Sequence, residues 1–309
     1  VALLFNGIFR YGFLNYIFGM GVAFFAAGIW LWMKPSYVRI IFALITSIIL
    51  ILLHFAAFSV FAVIVGSTEI YAAILRYRHA GLKSSILKLI ISATPFLIAI
   101  LLFSLFSPTA EVASKGFSYP NYFGAKPLGA LYSILTGIKW LDIISLSSLA
   151  ITFSFLLYTK RIKVAPHLIV AMLMMMLAFI VLPSSLLGSG FVFVRLGPAI
   201  VLLWIAAIDI KATDINANRL IASLAILLAV LTSTGITGQW RDFNKQTVEI
   251  IRVFDKTEPG ATIFNATTQP FTHLIADSPK ERAAWNPPLK HVASYAVLYG
   301  PKFDPMTFV

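Results

Sequence analysis

Apolar runs close to the length of a bilayer-crossing helix follow one another along this chain, separated by short basic connections. They extend from about Gly12 to Met33, Val38 to Leu53, Ala56 to Leu75, Leu89 to Phe106, Asp142 to Tyr158, Leu168 to Leu187, Leu196 to Ile210 and Leu220 to Ile236. A helix rising about 1.5 Å per residue needs roughly 20 residues to cross about 30 Å of hydrocarbon. With 59% hydrophobic and 12% charged residues in 309, the chain lies outside the composition of soluble globular domains. Its mean hydropathy of +0.89 agrees. The pattern predicts an all-α polytopic membrane helix bundle of about eight spans.

The placement of charge orients the spans. Four connections hold Lys34 and Arg39; Arg76, Arg78, Lys83 and Lys88; Lys160, Arg161 and Lys163; and Lys211 and Arg219, with Asp209 and Asp214 almost their only acids. Short loops rich in Lys and Arg stay in the cytoplasm, and eight spans put all four on that side. The net charge of +12 is therefore mostly topogenic, and nucleic acid is not an expected partner. The absence of cysteine excludes disulfides, thiolate metal sites and cysteine nucleophiles in this stretch.

The same rule divides the long apolar stretch from Val38 to Leu75. One helix there would put basic loops on opposite sides of the membrane, so two short spans are expected, with His54 at the turn of their hairpin, near the outer surface. The first of the two would be only about 24 Å long, so the bilayer thins or neighbouring helices shield it.

Two regions are expected outside the cytoplasm. "SPTAEVASKGFSYPNYFGAKPLGALYSILTGIKWLD" reads as an irregular or surface-lying segment whose aromatics anchor at the interface. Residues 1–236 thus form the transmembrane bundle, and residues 237–309 a small αβ extracytoplasmic appendage, incomplete as a domain. Within the appendage, Phe243, Val248, Ile251 and Phe254 have helical spacing before Pro259-Gly260, "ATIFNAT" reads as a strand, and "HVASYAVLYG" as strand or helix. Because the chain opens on Val1 directly into apolar sequence and ends without a polar tail, truncation is expected at both ends.

Few side chains in this setting carry chemistry. His54 reads first as a helix-end histidine bonded to a backbone carbonyl or interfacial water, and second as a donor to a lipid phosphate or sugar at the outer interface. Glu69 is the one acid well inside an apolar span. It reads as a structural contact, with Arg76 two turns on, or as a proton- or ion-coupling group. Arg195 is either a snorkelling cation or a fork of donors suited to a phosphate or diphosphate. "RYGFLNYIFGMG" adds Arg10 and Asn15, whose buried amide needs partners, beside glycines that allow close helix packing. The external carboxylates, Glu111, Asp142 and those of the appendage, form no recognisable pair, and no triad, phosphate loop or metal-ligand spacing is present.

Three stretches taken together, "FRYGFLNYIFGMGVAFFAAGIW", "LILLHFAAFSV" and "VRLGPAIVLLWIAA", followed by "PGATIF" and "HVASYAVLYGPKFDP", resemble the later part of bacterial multispanning GT-C-like membrane glycosyltransferases. The resemblance implies transfer of a sugar from a polyprenyl-phosphate donor to an extracytoplasmic acceptor at the bacterial inner (plasma) membrane. It implies Arg195 at the donor phosphate, with Asn15, His54 and Arg10 lining the same outer cavity. The acidic residue that such enzymes carry in their first external loop would precede Val1, so no catalytic residue is assigned. No cofactor is identified, and a divalent metal has no support in the sequence. The rival expectations are a transporter or lipid flippase coupled through Glu69, with Pro95 and Pro183 breaking helices, and a non-catalytic assembly subunit.

Overall fold

The computed structural model describes residues 6–10, 13–106, 117–118, 125–186, 192–210 and 215–262. Their elements, in order, are α1 (Gly7–Arg10), α2 (Leu14–Trp32), α3 (Tyr37–Leu53), α4 (Phe55–Phe106), β1 (Phe117–Ser118), α5 (Ala125–Ile134), α6 (Lys139–Tyr158), β2 (Ile162–Val164), α7 (Pro166–Val181), β3 (Ser185–Leu186), α8 (Val192–Ala207), β4 (Ile208–Ile210) and α9 (Ile215–Asp255). The chain is mostly helical and forms two compact units. The smaller comprises Val1–Tyr11, Leu135–Leu149 and Asn216–Val309, the larger Gly12–Ile134 and Ala150–Ile215.

Among the described residues, four helices are long and apolar enough to cross a membrane: Leu14–Trp32, Phe55–Phe106, Lys139–Tyr158 and Asn218–Arg241. Three more, α3, α7 and α8, are apolar but only 16 or 17 residues long. These helices fit a membrane protein, and α2 shows the physical pattern. Its buried face includes Gly19, Ala23, Ala26 and Ala27, whereas Phe18, Phe25 and Trp32 are exposed. Small residues inward let backbones approach, and large apolar residues outward suit lipid rather than water. A Cβ added at Gly19 would lie 2.8 Å from that of Ala57, which marks how closely α2 and α4 approach.

The larger unit is built from helix ends that the sequence punctuates. Ser36 opens α3 by accepting the Arg39 backbone N–H at 3.3 Å, an N-cap bond. His54 closes α3 and opens α4. Its backbone N–H donates to the Leu50 carbonyl at 2.8 Å, its own carbonyl accepts from Ala57 and Phe58, and its Nδ1 accepts the Ala56 N–H at 3.1 Å. One extended residue, at φ −173° and ψ 123°, thus serves both helix ends of the hairpin that the charge pattern predicts there. Pro166 begins α7, where its missing N–H costs nothing. Lys126, on α5, donates to the Phe179, Ile180 and Leu182 carbonyls where α7 ends, a cation at the negative end of a helix dipole.

The structure differs from the sequence expectation between Arg76 and Lys88. A polar connection was expected there, but α4 stays helical up to Gly81 and beyond it, and Gly81 alone, at φ 77° and ψ 170°, breaks the element. The two arms fold back as an antiparallel pair. Phe61 packs on Phe96 with ring centroids 5.5 Å apart, and Phe55 on Phe103 at 5.5 Å. Pro95 is buried in the second arm without interrupting it. The expected surface segment before residue 139 also holds a packed helix. On α5, a Cβ at Gly129 would meet the Phe193 ring at 2.8 Å, and one at Gly197 of α8 would meet the Ala130 carbonyl at 3.1 Å, so glycines set the α5–α8 approach.

Two short ladders join connections of the larger unit. β2 pairs antiparallel with β4, placing Lys163 opposite Asp209, and β1 pairs antiparallel with β3. In the smaller unit, Asp142 accepts from the Thr136 N–H and hydroxyl, both at 2.7 Å, and from the Gly137 N–H at 3.0 Å, which ties down the turn before α6. There α9 continues as one helix through residue 236, where the sequence pattern divides bundle from appendage, and carries the helix expected around Val248, Ile251 and Phe254. The expected strand "ATIFNAT" beyond Thr262, and "HVASYAVLYG", lie outside the described residues.

Candidate functional site

Two polar clusters occupy opposite ends of α2 in the larger unit, about 21 Å apart along the helix by a rise of about 1.5 Å per residue.

The first surrounds Tyr16. Its hydroxyl donates to the Arg195 carbonyl at 2.5 Å, joining α2 to α8 inside the unit. The Tyr16 ring meets His54 edge-on, with centroids 5.2 Å apart. Asn15 donates from Nδ2 to the Leu53 carbonyl at 3.3 Å, one residue before the His54 break, and its Oδ1 accepts the Tyr16 N–H. The Arg195 guanidinium carbon lies 4.4 Å from the Phe13 ring centroid, in cation–π geometry, and the residue is only 7% exposed. Asn15, His54 and Arg195, singled out separately along the sequence, are thus gathered by α2, the α3–α4 turn and α8. Tyr16 links them and was not singled out; a phenol adjoining Asn15 at the start of an apolar helix is the available signal, because a buried hydroxyl needs a partner. His54 sits at the helix end, but its ring accepts the Ala56 backbone N–H instead of donating to a backbone carbonyl. Its Nδ1 accepts a hydrogen bond, so the neutral ring carries its proton on Nε2.

Arg10 ends α1 in the smaller unit, and its side chain lies outside the described residues, as does Glu111. Asp142, another external carboxylate considered, is occupied by the turn before α6.

The second cluster surrounds Glu69. Its partner is Arg39 of α3, not Arg76: the Arg39 Nη2 is 3.0 Å from Glu69 Oε1. Arg76 is two turns along the same arm, whereas Glu69 faces α2 and α3, and Arg39 reaches across from the neighbouring helix. Trp30 Nε1 donates to Glu69 Oε1 at 3.3 Å, and Ser92 Oγ from the second arm of α4 to Oε2 at 3.2 Å. Arg39 also donates from Nε to the Trp30 carbonyl at 3.1 Å and stacks on the indole at 3.8 Å. Charge, hydrogen bonding and stacking compensate one another, as a buried pair requires. The cluster borders a cavity of about 1010 Å³.

That cavity is lined from the first two basic connections and from the start of α7, just after the third. Pro35 and Ser36, Arg76, Lys88 and His167 all line it, and the β2–β4 ladder ties the segment around Lys163 to that around Asp209. The Tyr16 cluster is at the other end of α2. Among the described residues, no three His, Asp or Glu side chains come together as metal ligands.

Comparison with protein-family models, curated proteins and solved structures finds no match to this chain.

Proposed function

We propose that this chain is part of a membrane glycosyltransferase that takes a sugar from a polyprenyl-phosphate donor at the outer leaflet of a bacterial inner membrane and passes it to an extracytoplasmic acceptor. The observation that carries the reading is the convergence of Arg195, Tyr16, His54 and Asn15 at the end of α2 opposite the first two basic connections. In this reading eight spans cross the membrane, the two arms of α4 counting separately, and the segment after α9 lies outside. The positive-inside rule then assigns the basic end to the cytoplasm and the Arg195 end to the outer interface, the depth at which a lipid-linked phosphate sits.

The chemistry follows from the side chains. A guanidinium is permanently charged and offers a planar fork of donors to phosphate oxygens. Tyr16 fixes the backbone of Arg195, and Asn15 holds the hairpin against α2, so the cation is presented from a rigid place. Phe13 covers the guanidinium, and the incoming phosphate displaces that ring. The carboxylate that completes the reaction is not assigned to a residue.

Transfer from a polyprenyl-phosphate-linked sugar by the full-length protein in proteoliposomes tests the reading. Arg195→Ala is expected to lower kcat/KM at least about a hundredfold, equivalent to about 3 kcal/mol of lost transition-state binding, with Arg195→Lys intermediate. Unchanged transfer by Arg195→Ala overturns the phosphate role. The transporter alternative has less support, because Glu69 already accepts from Arg39, Trp30 and Ser92, and a carboxylate so occupied is poorly placed to exchange a proton or ion.

A further inference from the structure

The cavity at the basic end holds an imbalance that the proposed transfer does not use. Glu69 is the one acid on its wall and is neutralised by Arg39 at 3.0 Å. Arg76, Lys88 and His167 remain on its lining, supplied by the two arms of α4 on either side of Gly81 and by the start of α7. Among the described residues none of these three has a hydrogen-bond or ion-pair partner. The rest of the lining is largely apolar, with Leu31, Ile40, Ile41, Leu75 and Ile91 along it. Ile41 and Ile91 are about half exposed, so the apolar wall continues to the surface that faces lipid.

A cavity lined both by cations and by aliphatic side chains suits an amphiphile with an anionic head. A volume of about 1010 Å³ accommodates a phosphodiester headgroup and the first segments of its chains. Basic pockets between membrane helices on the cytoplasmic side suit such headgroups. We propose that this cavity binds the phosphate of an anionic glycerophospholipid, with Arg76 and Lys88 on the phosphate oxygens, His167 beside them, and the acyl chains along Ile41 and Ile91. The site is separate from the Arg195 cluster and stands whether or not the chain transfers sugar.

The test measures lipid retained by the purified chain after nanodisc reconstitution with mixed dioleoylphosphatidylglycerol and dioleoylphosphatidylcholine, by mass spectrometry of the intact complex. The chain is expected to favour phosphatidylglycerol about tenfold, and Arg76→Gln with Lys88→Gln to abolish that preference. Arg78→Gln with Lys83→Gln removes the same charge from exposed positions of the same connection and is expected to leave it intact. Equal loss in both double variants overturns the proposal in favour of diffuse surface attraction. Ile41→Trp changes no charge and is expected to lower retention by crowding the apolar wall; unaltered retention in this variant overturns the placement of the chains. Inorganic phosphate and glycerol phosphate distinguish a soluble source: failure to displace the lipid supports the proposal, and displacement at concentrations comparable to the lipid's overturns it.

Discussion

Glu69 shows what a single residue reveals only after folding. The sequence marks it as an expensive charge inside an apolar span and suggests Arg76, the nearest cation on its own helix. The actual partner, Arg39, is 30 residues away, and the Trp30 and Ser92 donors come from other turns of chain. Local spacing is blind to such contacts because they depend on which helices pack together. Replacing Arg39 by Ala leaves the carboxylate buried and unpaired, and should cost about 3 kcal/mol in denaturant unfolding in detergent. Adding Glu69→Leu to that variant should restore most of the loss, since an apolar pair removes the stranded charge. In the Tyr16 cluster, Tyr16→Phe deletes the hydroxyl bond to Arg195 and is expected to cost about 1 kcal/mol. In the proposed transfer it should slow the reaction less than Arg195→Ala does, because Tyr16 bonds the Arg195 backbone and not the phosphate. Asn15, His54 and Arg195 stood out in the sequence because polar groups are scarce in apolar helices; Tyr16, half apolar itself, did not.

At the scale of elements, the apolar helices were the most legible feature, since lipid requires backbone groups to be satisfied within each segment. The break at His54 was legible too, because loop charges on either side forbade one long helix. The turn at Gly81 was less so: "RYRHAGLKSS" has the polarity of a connection, yet its residues also favour helix, and only the glycine interrupts it. Gly81 has φ 77° and ψ 170°, a combination essentially confined to glycine. Gly81→Ala should therefore destabilise the α4 fold-back by about 1–3 kcal/mol, readable as a lower unfolding midpoint. Gly197→Ala should also destabilise, by about 1–3 kcal/mol, because its Cβ would meet Ser133 and the Ala130 carbonyl where α5 packs on α8. That packing was hidden in the sequence by the proline and glycine of α5, which read as irregular chain.

At the scale of the whole molecule, the functional reading depends on polarity across the membrane. The first two basic connections and the start of α7 meet at the cavity in the larger unit, and the Arg195 cluster sits at the other end of α2. Charge counting proposed a common side for these connections from sequence because topogenic loops carry their signal locally, whereas the cavity beside the first two required the tertiary fold. The natural absence of cysteine makes sidedness directly measurable. The most direct measurement is labelling of single-cysteine variants Leu14→Cys, beside the Tyr16 cluster, and His79→Cys, at the exposed basic turn, with a membrane-impermeant maleimide on intact cells. The account predicts that position 14 labels from outside and that position 79 labels only after permeabilisation. The reverse pattern would put Arg195 at the cytoplasmic leaflet and contradict transfer from a donor on the outer face.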